Sequence, residues 1–401
     1  MVTCAFIIMV AMYGVYFVFG VFFKPVLTEF GWTRTITSGA ASLSTIIYGL
    51  LGIVMGGLTD RFGPRMVITF CGCLLGLGYL LMSQTSTIWQ LYLFYGVIIG
   101  MGMSGGFTPL MATVSRWFDE RRGMMTGIVQ AGLGAGTLIG APVANLLIST
   151  YDWRKAYIIL GSTVLVVVVL AAQFLRRDPS RVGQVPYVRN RQEDPGLTLH
   201  TDVFPLKEAI RTRQFLLVFA MLLCFGFCLF AILVHIAPHA TELGISATTA
   251  ANILATLGGL SIVGRIVLGS AGDRIGHRQI FIMGFILMSA ALFWLVPATE
   301  AWMLYLFAAV FGLAYGGCAA SMPPLISRLF GLSAHGSILG VADLGFMIGG
   351  TISPLLAGYI FDITGSYQLA FLLCAAIGVV GLILVLLLKT NSKGKREISL
   401  G

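Results

Sequence analysis

GGLSIVGRIVLGSAGDRIGHR (258–278) decides the fold through its second half. GSAGDRIGHR (269–278) repeats GGLTDRFGPR (56–65) at an offset of 213, which aligns Asp273 with Asp60 and Gly276 with Gly63. Nearly the same offset lays SRLF (327–330) on SRWF (115–118), YLF (305–307) on YLF (92–94), and GSYQLAF (365–371) near DWRKAY (152–157). A long unit was therefore duplicated in parallel, and both copies keep a short polar loop between apolar runs.

The solvent of those runs follows from composition. The chain has 401 residues, 57% of them hydrophobic and 10% charged. Its mean hydropathy is +0.92. A soluble domain carries about 25% charged residues, so this chain cannot cover itself in water. The apolar runs reach 18 residues or more, enough to cross a ~30 Å hydrocarbon core as helices. The roughly 10-residue alternation of a membrane barrel is absent. The expected fold is an all-α membrane protein of twelve spans: 3–27, 36–58, 66–83, 88–114, 122–149, 155–175, 214–241, 248–271, 279–297, 302–327, 336–361 and 367–388. They form two pseudo-symmetric six-helix bundles, 1–175 and 214–390. A polar, Arg-, Asp- and Pro-rich linker at 176–213 joins them, and 391–401 is a tail. The opening MVTCAFIIMVAMYGVYFVFG lacks the basic start and small-residue cleavage site of a signal peptide, so it reads as the first span, its lead-in not included.

Charge sets the orientation. With both ends inside, 20 of the 25 Lys and Arg lie on the inner side. Four lie outside, at Lys24, Arg34, Arg154 and Lys155, and Arg265 lies in neither place. That bias is the positive-inside pattern of a multi-pass protein with cytoplasmic termini. It accounts for the net charge of +9 without nucleic acid.

Little of the polar inventory resembles an enzyme. Gly100, Gly102 and Gly105 fit G-x-G-x-x-G, but no strand precedes them and they lie inside a span, where glycine serves close helix packing. There is no Ser/His/Asp set, no Walker loop and no metal spacing, so no cofactor or metal is expected. The seven cysteines all sit in apolar runs and read as small buried hydrophobes.

Two charged residues sit deep within spans, Arg265 and Asp343. Arg265 lies eight residues before Asp273, about 12 Å from the helix end at 1.5 Å per residue. An arginine there costs about 2.5–3.5 kcal/mol on insertion scales. It requires an interior face and a compensating group, either a substrate carboxylate held by the planar fork or a structural partner such as Asp343 or backbone carbonyls. Asp343 is a candidate proton carrier or a packing polar residue. His235 and His239, in LVHIAPHATELG, are titratable candidates or hydrogen-bonded interfacial histidines. Parallel repeats place a ligand site between the halves near midplane, and Arg265 has no copy in the first half, where Gly52 stands.

With these residues in hand, the chain resembles the major facilitator superfamily over essentially its whole length, carried by the doubled G-x-x-x-D-R-x-G-x-R loop. That resemblance implies gating roles for Asp60, Arg61, Arg65, Asp273, Arg274 and Arg278. WFDERRGMMTGIVQAGLGAG (117–136) narrows it. Phe118, Arg121, Arg122, Gly127, Ala131, Gly132 and Gly136 resemble the signature of the monocarboxylate transporter family, as do FFKPVLTEFGW (22–32) and FGLAYG (311–316). The resemblance implies that Arg265 binds the substrate carboxylate, that Tyr13 lines the cavity and that Tyr315 shapes selectivity. The chain departs from the family at Ser261, where the family has an acid, and at Phe17, where it has a lysine implicated in proton coupling.

The expected function is proton-coupled symport of a small monocarboxylate of the L-lactate or pyruvate type by rocking of the two halves. Asn252, Ser261 and Tyr315 would add hydrogen bonds, with apolar walls from Tyr13, Phe17 and Tyr315. Partners are the anion, a proton and the lipid bilayer, and one chain is expected to suffice. Short loops suggest a bacterial inner membrane. The alternative is an oxalate/formate-type antiporter, which pairs its eighth-span arginine with an eleventh-span lysine where this chain offers Asp343. A non-transporting receptor would need a signalling domain, for which no segment of suitable length is seen.

Overall fold

The computed structural model describes residues 1–117, 122–175, 206–330 and 335–388. Phe118, Arg121, most of the linker and the 391–401 tail lie outside those residues, as do the side chains of Asp60 and Arg122. Among the described residues, twelve helices are long and apolar enough to cross a bilayer: Val2–Phe30, Arg34–Thr59, Pro64–Met82, Ile88–Val114, Met125–Tyr151, Trp153–Gln173, Arg213–Glu242, Ala247–Ile275, His277–Leu295, Ala301–Phe330, Ile338–Thr364 and Gln368–Leu387. They are called the first to twelfth spans. An even number of crossings puts both described chain ends on one face, here the terminal face; the other is the distal face. No strand occurs among the described residues, as a backbone in lipid requires when it must satisfy its own hydrogen bonds.

The duplication is visible in helix lengths. Arg34–Phe62 and Ala247–Ile275 have 29 residues each, and Pro64–Met82 and His277–Leu295 have 19 each. Both pairs are joined by one glycine with φ in the range few residues other than glycine adopt: Gly63 at 87° and Gly276 at 101°. Both long helices open on a hydroxyl cap. Thr33 accepts from the Ile36 amide at 3.3 Å, and Ser246 from the Thr249 amide at 3.1 Å.

The first span, read from the sequence at 3–27, breaks the symmetry by an interruption that the sequence reading did not resolve. It is helical over Val2–Tyr16 and again over Phe19–Phe30, with a two-residue break at Phe17 and Val18. Its counterpart, Arg213–Glu242, is unbroken. A break in lipid is tolerated only where protein satisfies the freed backbone. Here the Tyr79 hydroxyl donates to the Val15 carbonyl at 2.9 Å and the Tyr95 hydroxyl to the Tyr16 carbonyl at 3.3 Å. The break turns Tyr13, Tyr16 and Phe17 into one aromatic wall.

The halves touch chiefly along two seams, second span to eleventh and fifth to eighth, with a smaller contact of the first span on the seventh. On the fifth-to-eighth seam Asn145 donates to Thr248 at 3.1 Å. Nearer mid-depth the helices almost meet: a Cβ on Gly134 would lie 2.6 Å from both the Gly258 carbonyl oxygen and the Ser261 hydroxyl. The other seam runs from Arg34 and Asp362 down to Gly49, where a Cβ would lie 2.7 Å from the Met347 side chain. Closer to the terminal face, Cβ positions on Gly57, Gly127 and Gly340 meet no heavy atom within 4 Å. Among the described residues the halves therefore meet distally and at mid-depth, and these positions toward the terminal face show no such approach.

Candidate functional site

Arg265 lies one helical turn past Ser261 toward the terminal face. It is 6% exposed. Its Nη1 donates to the Ser261 hydroxyl at 2.7 Å and its Nη2 to the Tyr315 hydroxyl at 2.7 Å. The guanidinium carbon sits 4.9 Å from the Tyr315 ring centroid, within range of the ring's negative face. Ser261 and Arg265 share a helix face because they are four residues apart. The Ser261 proton is given to the Gly258 carbonyl at 2.7 Å, which leaves a lone pair aimed at Arg265. Tyr315 is held from behind by Phe225, centroid to centroid 6.2 Å.

All of these partners are neutral. Asp343 makes no ion pair with Arg265, and the Arg265 Nε–H has no acceptor among the described residues. The structural pairing that the sequence left open is not present. A buried guanidinium oriented but not neutralised is a costly arrangement, and an incoming anion completes it.

The facing wall comes from the first, second and eleventh spans. The Tyr13 and Tyr48 hydroxyls are hydrogen-bonded at 2.8 Å. Asp343 is half-buried and lies within electrostatic reach of both phenols, and Tyr315 within reach of Tyr13. Phe17 packs 5.3 Å from Tyr13 and 6.3 Å from Phe230 of the other half. Thus Arg265, Ser261, Tyr315, Tyr13, Phe17 and Asp343 form one chain of neighbours across the boundary between the halves.

Two expected residues do not join them. Asn252 is thirteen residues before Arg265 on the same helix, about 20 Å toward the distal face. His235 is fully buried, its Nδ1 3.1 Å from the Tyr367 hydroxyl and its Nε2 2.9 Å from the Pro354 carbonyl. Both ring nitrogens are thus engaged distally, as is the His239 ring, 4.9 Å from Phe371. Tyr48 was missed, because an aromatic in an apolar run has no mark of its own until Tyr13 is placed beside it.

A model of the Major Facilitator Superfamily matches residues 5–269 and 236–400. Mouse monocarboxylate transporter 4 is 30% identical over 387 residues, 94% of this chain and 80% of that protein. Mouse monocarboxylate transporter 12 is 28% identical over 386 residues, 90% of this chain and 78% of that protein. The chain belongs to the monocarboxylate transporter family of the major facilitator superfamily. A solved bacterial homologue of the human lysosomal transporter Spinster, in an inward-facing and occupied conformation, superposes with a TM-score of 0.74 at 15% identity, covering 96% of each chain. At that identity the likeness shows the fold. Transporters of this superfamily are not enzymes, and neither is this chain.

In this transporter the doubled loops are anchored within their own halves. Arg65 donates through Nε to Gln173 at 2.7 Å, at the end of the sixth span. Arg278 donates to the Val385 and Leu386 carbonyls at 3.2 and 2.9 Å, at the end of the twelfth. The two arginines are equivalent, each tying its loop to the last helix of its bundle. Arg61 lies 5.3 Å over the Phe62 ring, and Arg274 is exposed. Asp273 is 77% exposed and meets His277 at 3.4 Å.

Among the described residues the charged contacts that bridge the halves are distal, and the sequence had marked Arg34 only as an outside cation. Its Nη2 meets Glu242 at 2.5 Å and its Nη1 donates to the Tyr367 hydroxyl at 2.9 Å. Its guanidinium carbon lies 3.8 Å over the Phe361 ring centroid. Asp362 accepts from the Arg34 and Thr35 backbone amides at 3.0 and 2.8 Å, and from the Thr35 hydroxyl. Arg34 and Thr35 begin the second span and the others end the seventh and eleventh or begin the twelfth, so this is a clasp between bundles. Beside it a cavity of about 420 Å³, lined by residues such as Lys24, Asn145 and Thr241, faces the distal side.

Proposed function

We propose that this protein is a proton-coupled symporter of small monocarboxylates of the L-lactate and pyruvate type, working by alternating access in a plasma membrane. The observation that carries the reading is Arg265: a buried guanidinium, oriented by Ser261 and Tyr315, with no carboxylate of its own. One mobile monoanion neutralises it. A carboxylate takes two N–H bonds from the planar fork, while Tyr13, Phe17 and Tyr315 enclose a short alkyl end. A lactate-sized ligand has few heavy atoms, and at most about 1.5 kcal/mol is available from each. Micromolar to millimolar affinity follows, which lets the substrate leave.

The positive-inside bias puts the terminal face in the cytoplasm, so the clasped distal face is external and the halves open inward. Asp343 is the proton site in this reading. It lies within electrostatic reach of Tyr13 and Tyr48, and a proton bound there offsets the charge the anion brings.

The test is uptake into proteoliposomes of labelled lactate, pyruvate and oxalate, with and without an inward proton gradient. Gradient-driven lactate and pyruvate accumulation is expected. Oxalate exchange without proton drive, or no flux of any of them, would sink the reading. The Asp343→Asn variant is expected to lose gradient-driven accumulation and keep lactate/lactate exchange across the bilayer. If it still concentrates lactate against a gradient, Asp343 is not the proton site.

A further inference from the structure

The fifth and eighth spans run antiparallel, and their contacts keep a fixed register. Asn145 meets Thr248, and Gly134 meets Gly258 and Ser261. Each turn toward the terminal face on one helix is matched by a turn on the other. The next turn after Gly134 on the same stripe is Gln130, and the next after Ser261 is Arg265. Gln130 therefore stands level with Arg265 on the opposite half.

Gln130 is 8% exposed. Its amide nitrogen lies 3.8 Å from the Met111 sulfur, a weak acceptor, and its carbonyl oxygen has no partner among the described residues. A primary amide buried in a membrane span is costly unless something hydrogen-bonds it. Among the described residues its hydrogen-bond partner is the Met111 sulfur, a weak one.

We infer that Gln130 is the specificity-determining residue that makes this site select 2-hydroxy and 2-oxo monocarboxylates over unsubstituted short-chain acids. The inference rests on Arg265 as the carboxylate anchor. With the carboxylate on Arg265, the oxygen on carbon 2 projects from the adjacent carbon, toward the facing helix. An amide both donates and accepts, so it serves a hydroxyl and an oxo group alike. It is also neutral, so the site keeps the single positive charge that suits a monoanion. Propionate has the shape of lactate without the hydroxyl and leaves the amide unpaired.

The experiment compares lactate, pyruvate and propionate uptake in proteoliposomes for the native protein, Gln130→Met and Arg265→Ala. The native KM for lactate and pyruvate is expected to be about tenfold below that for propionate, the discrimination one such hydrogen bond supplies. Gln130→Met keeps the side chain's length and should raise the lactate and pyruvate KM to the propionate value while leaving propionate unchanged. The ratio of KM values within one preparation does not depend on how much protein folded. Equal native KM for lactate and propionate, or a Gln130→Met variant that shifts all three acids together, overturns the inference and leaves the monocarboxylate reading standing. Uptake retained in Arg265→Ala overturns the reading and the inference with it.

Discussion

Arg265→Ala is expected to abolish lactate uptake without unfolding the protein. In the proposed reading the lost interaction is a charge-assisted, two-point contact to a buried guanidinium, and removing one partner of such a pair costs about 3–5 kcal/mol. That is roughly a hundred- to several-thousandfold in affinity, which takes a millimolar site beyond measurement. Stability should move the other way or stay level. The guanidinium is buried with neutral partners only, so alanine removes an uncompensated charge from the span. A melting temperature no lower than that of the native protein, with uptake at background, is the expected pair of results. Arg265→Lys is the sharper comparison. It keeps the charge, yet an ammonium cannot reach Ser261 and Tyr315 together while presenting a planar edge to a carboxylate. A loss of about ten- to a hundredfold in kcat/KM is expected for it, by the same arithmetic. Undiminished uptake by the alanine variant would remove Arg265 from the site.

Arg34→Ala should shift the transporter toward a distal-open state. The substitution removes an ion pair to Glu242, a hydrogen bond to Tyr367 and a cation–ring contact with Phe361, all made only while the bundles are closed distally. A charged hydrogen bond contributes about 1.5–3 kcal/mol and the ring contact about 0.5–1. The Glu242 side chain is 38% exposed, so water and salt screen its share, and about 2 kcal/mol in total is a reasonable sum. That is roughly a thirtyfold change in the ratio of closed to open. The Asp362 bonds to the backbone amides survive, so the clasp is weakened and not lost. The measurement is the rate at which a membrane-impermeant thiol reagent on the distal side modifies a cysteine at Val234, which is 6% exposed in the closed state. Faster labelling in Arg34→Ala is expected; unchanged labelling would mean the clasp does not hold the gate.

The residues that were legible early share one property: each violates what lipid demands. Arg265 stood out because a charge at that depth is expensive. The loops at 56–65 and 269–278 stood out because polar decapeptides cannot sit in hydrocarbon. Tyr48 and Arg34 gave no such signal, and Gln130 gave a weaker one. A phenol within a span and a cation outside one are ordinary, and an uncharged amide within a span costs less than a charge. Their roles come from neighbours on other helices: Tyr13 for Tyr48, the level of Arg265 for Gln130, and Glu242, Phe361 and Tyr367 for Arg34. His235 misleads for the same reason, since its partners Tyr367 and Pro354 lie on other helices, whereas the distance of Asn252 from Arg265 along one helix was countable from the sequence.

From the order of residues alone come the twelve crossings, the duplication and the anomalous arginine, because the bilayer prices each residue by type and depth almost independently of its partners. The break at Phe17, the missing counterion of Arg265 and the closure of one face belong to the assembled structure. These depend on which atoms lie within about 3 Å of each other, and between residues such as Arg34 and Asp362, 328 positions apart, only the packing of the two bundles sets that distance.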